Sequence, residues 1–336
     1  MRILNWNIEW MNDWFVGNGE VAFRTILQRT GITDVDALCR RVASVIDDLD
    51  PDVLTIQEGP SDIEEMKLFA DKYLVDEEEM PRFAIFGGLD GGAQKIYILV
   101  KINGALQDAT LAIDELTQGL ADPFQTDIDG SLELVDYKFT RIPVIVAGKR
   151  ANGKDVRIIS LHSKSKFVQN GPALWRNPAT RNEYIRPAIR NRRRISAEAF
   201  RLRAYLDLVV KNSPELDVIV TGDFNDGPCV DYFEQRYLTH NVTDILLGST
   251  FYPKLLFQHV VLGSIPAERA FTAIFDDFID NIQDRRLLLD HIIVSPHLAD
   301  TVEGDLAHEQ FAAAPAQNAS GRQKFPSDHR PVYADV

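Results

Sequence analysis

Six short segments of this chain end or begin in side chains able to handle a phosphate. Asn7-Ile8-Glu9 closes an N-terminal apolar run, Glu58 closes Asp52 to Gln57, and His162 closes Ile158 to Leu161. Asp223 and Asn225 stand two apart in Gly222-Asp223-Phe224-Asn225, Asp290 opens the run to Ser295, and Asp328-His329 precedes the last run, Val332 to Val336. Strand side chains alternate, so Asn7 with Glu9, and Asp223 with Asn225, are expected to share a face. Phosphoester hydrolysis needs charge neutralisation on the non-bridging oxygens, an activated water and a stabilised leaving oxygen. Carboxylate and amide oxygens hold a hard cation such as Mg²⁺, with water and substrate completing its shell. On that chemistry Glu58 is a metal ligand, with Asn7 or Glu9 beside it and Asp328 as a further oxygen donor. His329 acts on the water or braces the phosphate, Asp290 orients its ring, and His162 donates to a phosphate oxygen. Cysteine is absent from all six segments, which excludes a soft-metal cluster. Singly, each segment has an ordinary explanation, Gly-Asp-Phe-Asn being a common turn. Their joint occurrence carries the argument.

Elements able to position these groups are legible in the apolar pattern. Short β-branched runs predict strands at Ile3 to Ile8, Val53 to Gln57, Ile96 to Lys101, Ile142 to Ala147, Val156 to His162, Val218 to Gly222, His291 to Ser295 and Val332 to Val336. Helical spacing predicts Asp34 to Leu49, capped by Thr33 or Asp34 and stopped before Pro51, and Ile195 to Val210. Strands interleaved with amphipathic helices imply an α/β or α+β layered domain. No repeat or low-complexity linker divides the chain. The expectation is one domain, residues 1–336, with insertions near 104–137, 171–194 and 252–270. Phe251, Tyr252, Leu255, Leu256 and Phe257 form an apolar cluster in the last of these, expected to pack beneath a loop.

The segments NWNIEW, LTIQE, LHSKSK, GDFND, LDHIIVS and SDHRPV, in that order, resemble the endonuclease/exonuclease/phosphatase superfamily, its deoxyribonuclease-like and apurinic endonuclease-like branches above all. The resemblance implies a four-layered α/β sandwich, two packed mixed β-sheets flanked by helices, with the active site at one end. It makes Glu58 the metal-binding glutamate, Asn7 the first-strand asparagine, and Glu9 the counterpart of a position often held by aspartate. Asp223 and Asn225 resemble the pair that positions the attacking water and the phosphate. Asp290 and His329 resemble the carboxylate–imidazole pair, with Asp328 the acid before that histidine. His162 sits where deoxyribonuclease-like members carry a histidine, and Arg141 resembles a substrate-side arginine. The chain departs from that branch at Lys95, where a glutamate that pairs with the histidine is expected. A lysine there lowers a neighbouring imidazole's pKa, or meets the phosphate directly, as Lys164 is also placed to do.

Apolar residues make up 45% and charged residues 26% of the 336, ordinary for a globular protein. The net charge of −14 argues against broad adhesion to nucleic acid over the whole surface. It leaves room for local positive charge at a site. Residues 104 to 137 hold eight acids and no Lys or Arg, whereas 171 to 203 hold nine arginines and two acids. That arginine stretch either rims the site and binds further phosphates, or pairs with the acidic segment as a structural face. The N-terminus reads as a strand without a leader pattern, no apolar run reaches the ~18–20 residues of a membrane span, and Cys39 and Cys229 read as ordinary thiols. Together these point to a cytoplasmic enzyme with no obligate protein partner. The expected activity is a Mg²⁺-dependent phosphodiesterase, a nuclease, with Mn²⁺ or Ca²⁺ as alternative cations. The alternative is a hydrolase of a small or lipid-headgroup phosphoester.

Overall fold

The computed structural model describes residues 1–89, 92–228, 231–237, 240–314 and 324–336; Cys229 lies outside these, and Cys39 is a buried free thiol. The chain runs β1 (Arg2–Asn7), α1 (Val35–Leu49), β2 (Val53–Gly59), α2 (Ile63–Tyr73), β3 (Phe83–Gly87), β4 (Lys95–Lys101), β5 (Leu106–Leu111), β6 (Val144–Arg150), β7 (Asp155–His162), α3 (Arg181–Asn212), β8 (Asp217–Asp223), β9 (Gln258–His259), β10 (Asp290–Val294), β11 (Glu303–Leu306) and β12 (Val332–Asp335), with shorter helices and hairpins between. Two six-stranded sheets result, in the orders β11-β12-β1-β2-β4-β3 and β9-β10-β8-β7-β6-β5. Each is mixed, with one parallel pair at its centre: β1 with β2, and β7 with β8.

Alternation along the strands builds the layers. Ile3, Val53, Ile158, Ile219, Ile292 and Val332 meet in one core between the sheets. Their neighbours Leu4, Trp6, Leu54 and Ile56 face the opposite way, into a core shared with α1. Ile159, Leu161, Val218 and Val220 likewise pack against Ile195, Leu202 and Leu206 of α3. Helix, sheet, sheet and helix are therefore stacked as the resemblance implied. Asp34 caps α1 by accepting the Ala37 N–H at 2.9 Å, as its position before the apolar stripe suggested.

Moving along the central strands, the inward face changes from apolar to polar. Asn5, Thr55, Gln57, Ser160 and Thr221 form a dry hydrogen-bonded seam between the sheets. Gln57 Nε2 donates to Asn5 Oδ1 at 2.9 Å and to Ser160 Oγ at 3.0 Å, and Thr221 Oγ1 donates to Thr55 Oγ1 at 2.9 Å. One residue pair further on come Asn7, His162 and Asp223. The seam fixes the register of four strands, so their ends arrive at one place.

All eight expected strands are present; the one expected from Ile142 runs Val144–Arg150, starting beyond Pro143, which has no N–H for a ladder. The helix expected from Ile195 to Val210 is longer, Arg181–Asn212, with Pro187 inside. Its arginines had masked an apolar stripe that continues back through Ala188 and Tyr184. The segments read as insertions also hold sheet strands: 104–137 begins with β5 and 252–270 includes β9. The apolar cluster near 251–257 splits, Phe257 being buried while Phe251 and Tyr252 are 90% and 66% exposed. No described helix is long and apolar enough to cross a membrane.

Candidate active site

The central strands deliver their polar ends to one edge of the sandwich. Asn7 of β1 is buried and donates Nδ2 to Asp223 Oδ2 at 2.9 Å and to Glu58 Oε1 at 3.4 Å. Its own Oδ1 is buried and receives no hydrogen bond. Glu58 lies at a break in the β2–β4 register, with φ at 58°. A non-glycine residue held there stores strain of about 1–3 kcal/mol, and the twist turns its carboxylate toward Asn7. The Trp10 N–H donates to Glu58 Oε2 at 2.9 Å, and Gln94 Nε2 donates to the same oxygen. Burial raises the Glu58 pKa, Asp328 adds to the rise, and the Trp10 N–H and His329 oppose it.

Asp223 closes β8 directly after Gly222, whose φ of 146° and approach to the Leu161 carbonyl leave no space for a Cβ. Asp223 is paired in register with both His162 and Asp290. His162 Nε2 stands 3.5 Å from Asp223 Oδ2. The Asn225 N–H donates to Asp223 Oδ1 at 2.8 Å, and Asn225 Nδ2 lies 3.3 Å from Asp223 Oδ2. Burial, reinforced by the Asp290 charge, pushes the Asp223 carboxyl up to about 7.

Asp290 Oδ2 meets His329 Nδ1 at 2.6 Å, both groups buried. Burial works against charge on His329, but Asp290, with Asp328 and Asp223, outweighs it and holds the ring well above its usual pKa. The histidine is aimed from behind: the Trp6 indole N–H donates to its carbonyl at 2.9 Å, and Ser327 Oγ accepts its N–H at 3.0 Å. Asp328 Oδ1 lies 3.9 Å from His329 Nε2. His162 is the opposite case. Burial, with Arg141, His329 and Lys164 nearby, depresses its pKa well below the usual value, and its Nδ1 is buried without a hydrogen bond.

Arg141 reaches the same edge, donating to Gln94 Oε1 at 2.6 Å, so Gln94 links the guanidinium to Glu58. Lys164 has its N–H on Glu198 Oε2 at 2.9 Å, and burial lowers its pKa. Two expected residues are placed elsewhere. Lys95 donates Nζ to the Leu89 carbonyl at 2.8 Å and pairs with neither His162 nor a site carboxylate. Glu9 falls beyond the end of β1, in a turn where Trp10 takes φ 51°, so the alternation linking it to Asn7 stops. It lines a small cavity with Trp14, Leu38 and Phe325.

Two residues that the strand-end motifs do not signal complete the arrangement. Gln94 is one. The other is Glu198 of α3, fully buried, which accepts from Tyr137 Oη at 2.8 Å, the Thr140 N–H at 2.9 Å and the Lys164 N–H. It ties the loop bearing Arg141 to the loop bearing Lys164. Its place on the buried stripe of a helix, one turn after three arginines, is the only sequence signal.

Beside the site lies a second charged cluster. Lys166 Nζ meets Asp231 at 3.1 Å and Glu234 at 2.8 Å and also contacts Asp226, while Arg192 chelates Asp231. His259 Nδ1 accepts two backbone N–H groups at 3.1 Å, so its Nε2 carries the proton toward His291 Nδ1 at 2.8 Å. His291 then donates Nε2–H to the Asp226 carbonyl at 2.7 Å. The arginine stretch divides. Arg190 and Arg193 lie 3.6 and 3.7 Å from Asp129 and Asp127 of the acidic segment, and Arg203 pairs with Asp207.

Oxygen atoms of Asp223 and Asp290 and a ring nitrogen of His329 converge within 4.8 Å. The bond from Asp290 to His329 accounts for much of that closeness. Asn7 and Glu58 offer the better cation site, since the Asn7 amide oxygen is otherwise without a partner and both groups are hard oxygen donors.

The model of the Endonuclease/Exonuclease/phosphatase family matches residues 5–329. No curated protein matches the chain in sequence. Among solved structures, truncated TDP2 from Caenorhabditis elegans is similar at 14% identity and a TM-score of 0.53, over 99% of this chain and 96% of that one. An endonuclease/exonuclease/phosphatase from Bacteroides vulgatus is similar at 13% identity and a TM-score of 0.50, over 99% and 97% of the two chains. At such identities the likeness is one of fold.

Proposed function

The chain belongs to the endonuclease/exonuclease/phosphatase family of phosphoester hydrolases, and we propose that it is a divalent-cation-dependent phosphodiesterase acting on nucleic acid. We take it as one domain with the insertions described. The observation that carries the reading is the buried Asn7 amide oxygen, which receives no hydrogen bond while the Nδ2 of the same side chain is held by Glu58 and Asp223. Glu58 and Asn7, with Asp328 beside them, would hold Mg²⁺ or Mn²⁺, which would supply charge neutralisation for the phosphate and the leaving oxygen.

The protein's own groups do the remainder. Asp223, held in place by Asn7 and Asn225, takes the proton of the attacking water at a carboxylate oxygen. Its elevated pKa makes it a stronger base than an exposed carboxylate. His329, kept cationic by Asp290, braces the phosphate and steadies the charge that develops there. Neutral His162 and the cations Arg141 and Lys164 bind the non-bridging oxygens.

A small phosphoester is the second reading. It is favoured by the pairing of Arg190 and Arg193 with Asp129 and Asp127, which engages part of the arginine stretch with the protein's own acids. Incubating the protein and Mg²⁺ or Mn²⁺ with plasmid, single-stranded DNA, RNA and a small phosphodiester separates the two. Cleavage of a polynucleotide supports the first reading. Turnover of the small ester alone supports the second. Loss of activity in Glu58→Ala guards against a contaminating nuclease.

A further inference from the structure

The segment between Trp10 and Ile32 stands outside the four layers, and the site residues described so far do not account for it. It contains the short helix Met11–Trp14 and the hairpin Phe15–Gly17 with Glu20–Phe23. It borders the site directly, because the Trp10 N–H is bonded to Glu58. A groove of about 420 Å³ runs along it, lined by Asn12, Asn18, Arg24, Gln28, Arg29 and Ser61, among others. Ser61 lies just past the end of β2, so the groove opens where the Glu58 strand finishes.

Charge in this groove does not cancel. Asp13 is the one carboxylate lining it; it is buried, accepts the Arg29 backbone N–H at 2.9 Å and faces Arg24 Nε at 3.8 Å. Arg24 balances Asp13. The Arg29 guanidinium has no carboxylate within ion-pair distance among the described residues. It lies instead over the Trp10 ring, 3.5 Å from the centroid. Stacking engages the face of a guanidinium and leaves its in-plane N–H donors at the edge, the arrangement that suits a phosphate. It also limits the side-chain freedom that binding would otherwise remove. Two of the residues lining the groove also carry a buried polar atom without a hydrogen-bond partner, Asn12 Oδ1 and Arg24 Nε.

We propose that Arg29, laid on Trp10, and this groove form a subsite for a second phosphate carried by the substrate, beside the phosphate under attack. The inference rests on the phosphodiesterase reading and deepens it, since it selects substrates with two phosphates along one chain over isolated monoesters or diesters. Trp10 joins the two sites: its backbone holds Glu58 while its ring holds Arg29.

The test is calorimetric binding of thymidine 5′-phosphate and thymidine 3′,5′-bisphosphate, with Ca²⁺ present, to the wild type, Arg29→Ala and Arg29→Lys. Hydrolysis of thymidine 5′-(p-nitrophenyl phosphate), with and without a 3′-phosphate, is measured in parallel with Mg²⁺. The wild type should bind the bisphosphate about tenfold more tightly, the worth of one charge-assisted hydrogen bond. Arg29→Ala should erase that advantage while leaving the affinity for the monophosphate unchanged, and Arg29→Lys should keep part of it. Equal affinities in the wild type, or equal losses for both ligands in Arg29→Ala, would overturn the subsite. An Arg29-dependent advantage without hydrolysis of either ester keeps the subsite and removes the phosphodiesterase reading. Hydrolysis without any second-phosphate advantage does the reverse.

Discussion

Two charged clusters lie side by side at the end of the sandwich, built from similar residues. Around Lys166, three carboxylates and Arg192 satisfy one another, and the adjoining His259–His291 pair hands its last proton to a backbone carbonyl. Around Asn7, the same density of polar groups leaves Asn7 Oδ1, Asp290 Oδ1 and His162 Nδ1 buried without partners. Leaving such groups unpaired costs about 1–3 kcal/mol each. A fold that keeps one cluster saturated and the next unsaturated marks the second as the place where something else supplies the missing partners. Charge at a strand end is therefore a weaker sign of function than charge left incomplete.

The sharpest way to break this contrast is to alter one residue in each cluster and compare what is lost. His329→Ala should lower phosphodiester turnover by on the order of 10²–10³-fold, and because it strips buried Asp290 of its cationic partner it should also lower stability by about 3 kcal/mol. Lys166→Ala should lower stability by about 3 kcal/mol in a denaturant titration while leaving turnover little changed. It leaves Asp226, Asp231 and Glu234 facing one another without their cation. Acid should weaken the Asp231 contribution to the stability of the wild type. Burial opposes ionisation of Asp231, but Lys166 and Arg192 outweigh it and depress its pKa. Its contribution is therefore present above the usual carboxylate range and is lost as pH falls through that lowered value. Asp231→Asn should accordingly be less stable than wild type at pH 7, with the gap closing in strong acid.

A smaller effect is expected at the boundary of the two regions. Glu198→Gln preserves shape but presents an NH₂ group to one of the donors now meeting the carboxylate. About tenfold in KM is expected, as for a supporting residue that aims others, with kcat less changed and Glu198→Asp recovering part. A purely structural role would move the unfolding midpoint and leave KM alone. The smallest effect belongs to Arg190→Ala, an exposed pair with Asp129, whose stability should stay within about 0.5 kcal/mol of wild type. A marked fall in nucleic-acid affinity in that variant would return the arginine stretch to the substrate side.

Much of the unsaturated cluster was legible in the sequence, because its members stand at the ends of strands whose apolar alternation announces them. Asn7, Glu58, His162, Asp223, Asn225, Asp290, Asp328 and His329 all reach one edge. The alternation rule failed at Glu9, where the strand ends and the chain turns through Trp10 in a left-handed conformation. Lys95, placed at the site by the resemblance alone, instead bonds the Leu89 carbonyl, and Gln94 links Arg141 to Glu58. The saturated cluster was hardly visible at all. Lys166, Arg192, Asp231 and Glu234 come from three separate segments with no shared period, and only packing brings them together. The same holds for Glu198, hidden in a helix whose start was obscured by arginines that pair with a distant acidic loop.

The central claim, that Asn7 and Glu58 complete their coordination with a divalent cation that serves phosphodiester cleavage, is tested most directly by the Mg²⁺ dependence of small-phosphodiester hydrolysis in the wild type and in Glu58→Gln. Saturation by Mg²⁺ is expected in the wild type, with no turnover in chelator and a requirement for far higher Mg²⁺ in the variant. The same half-saturating Mg²⁺ in both proteins, or undiminished wild-type turnover in chelator, would contradict it.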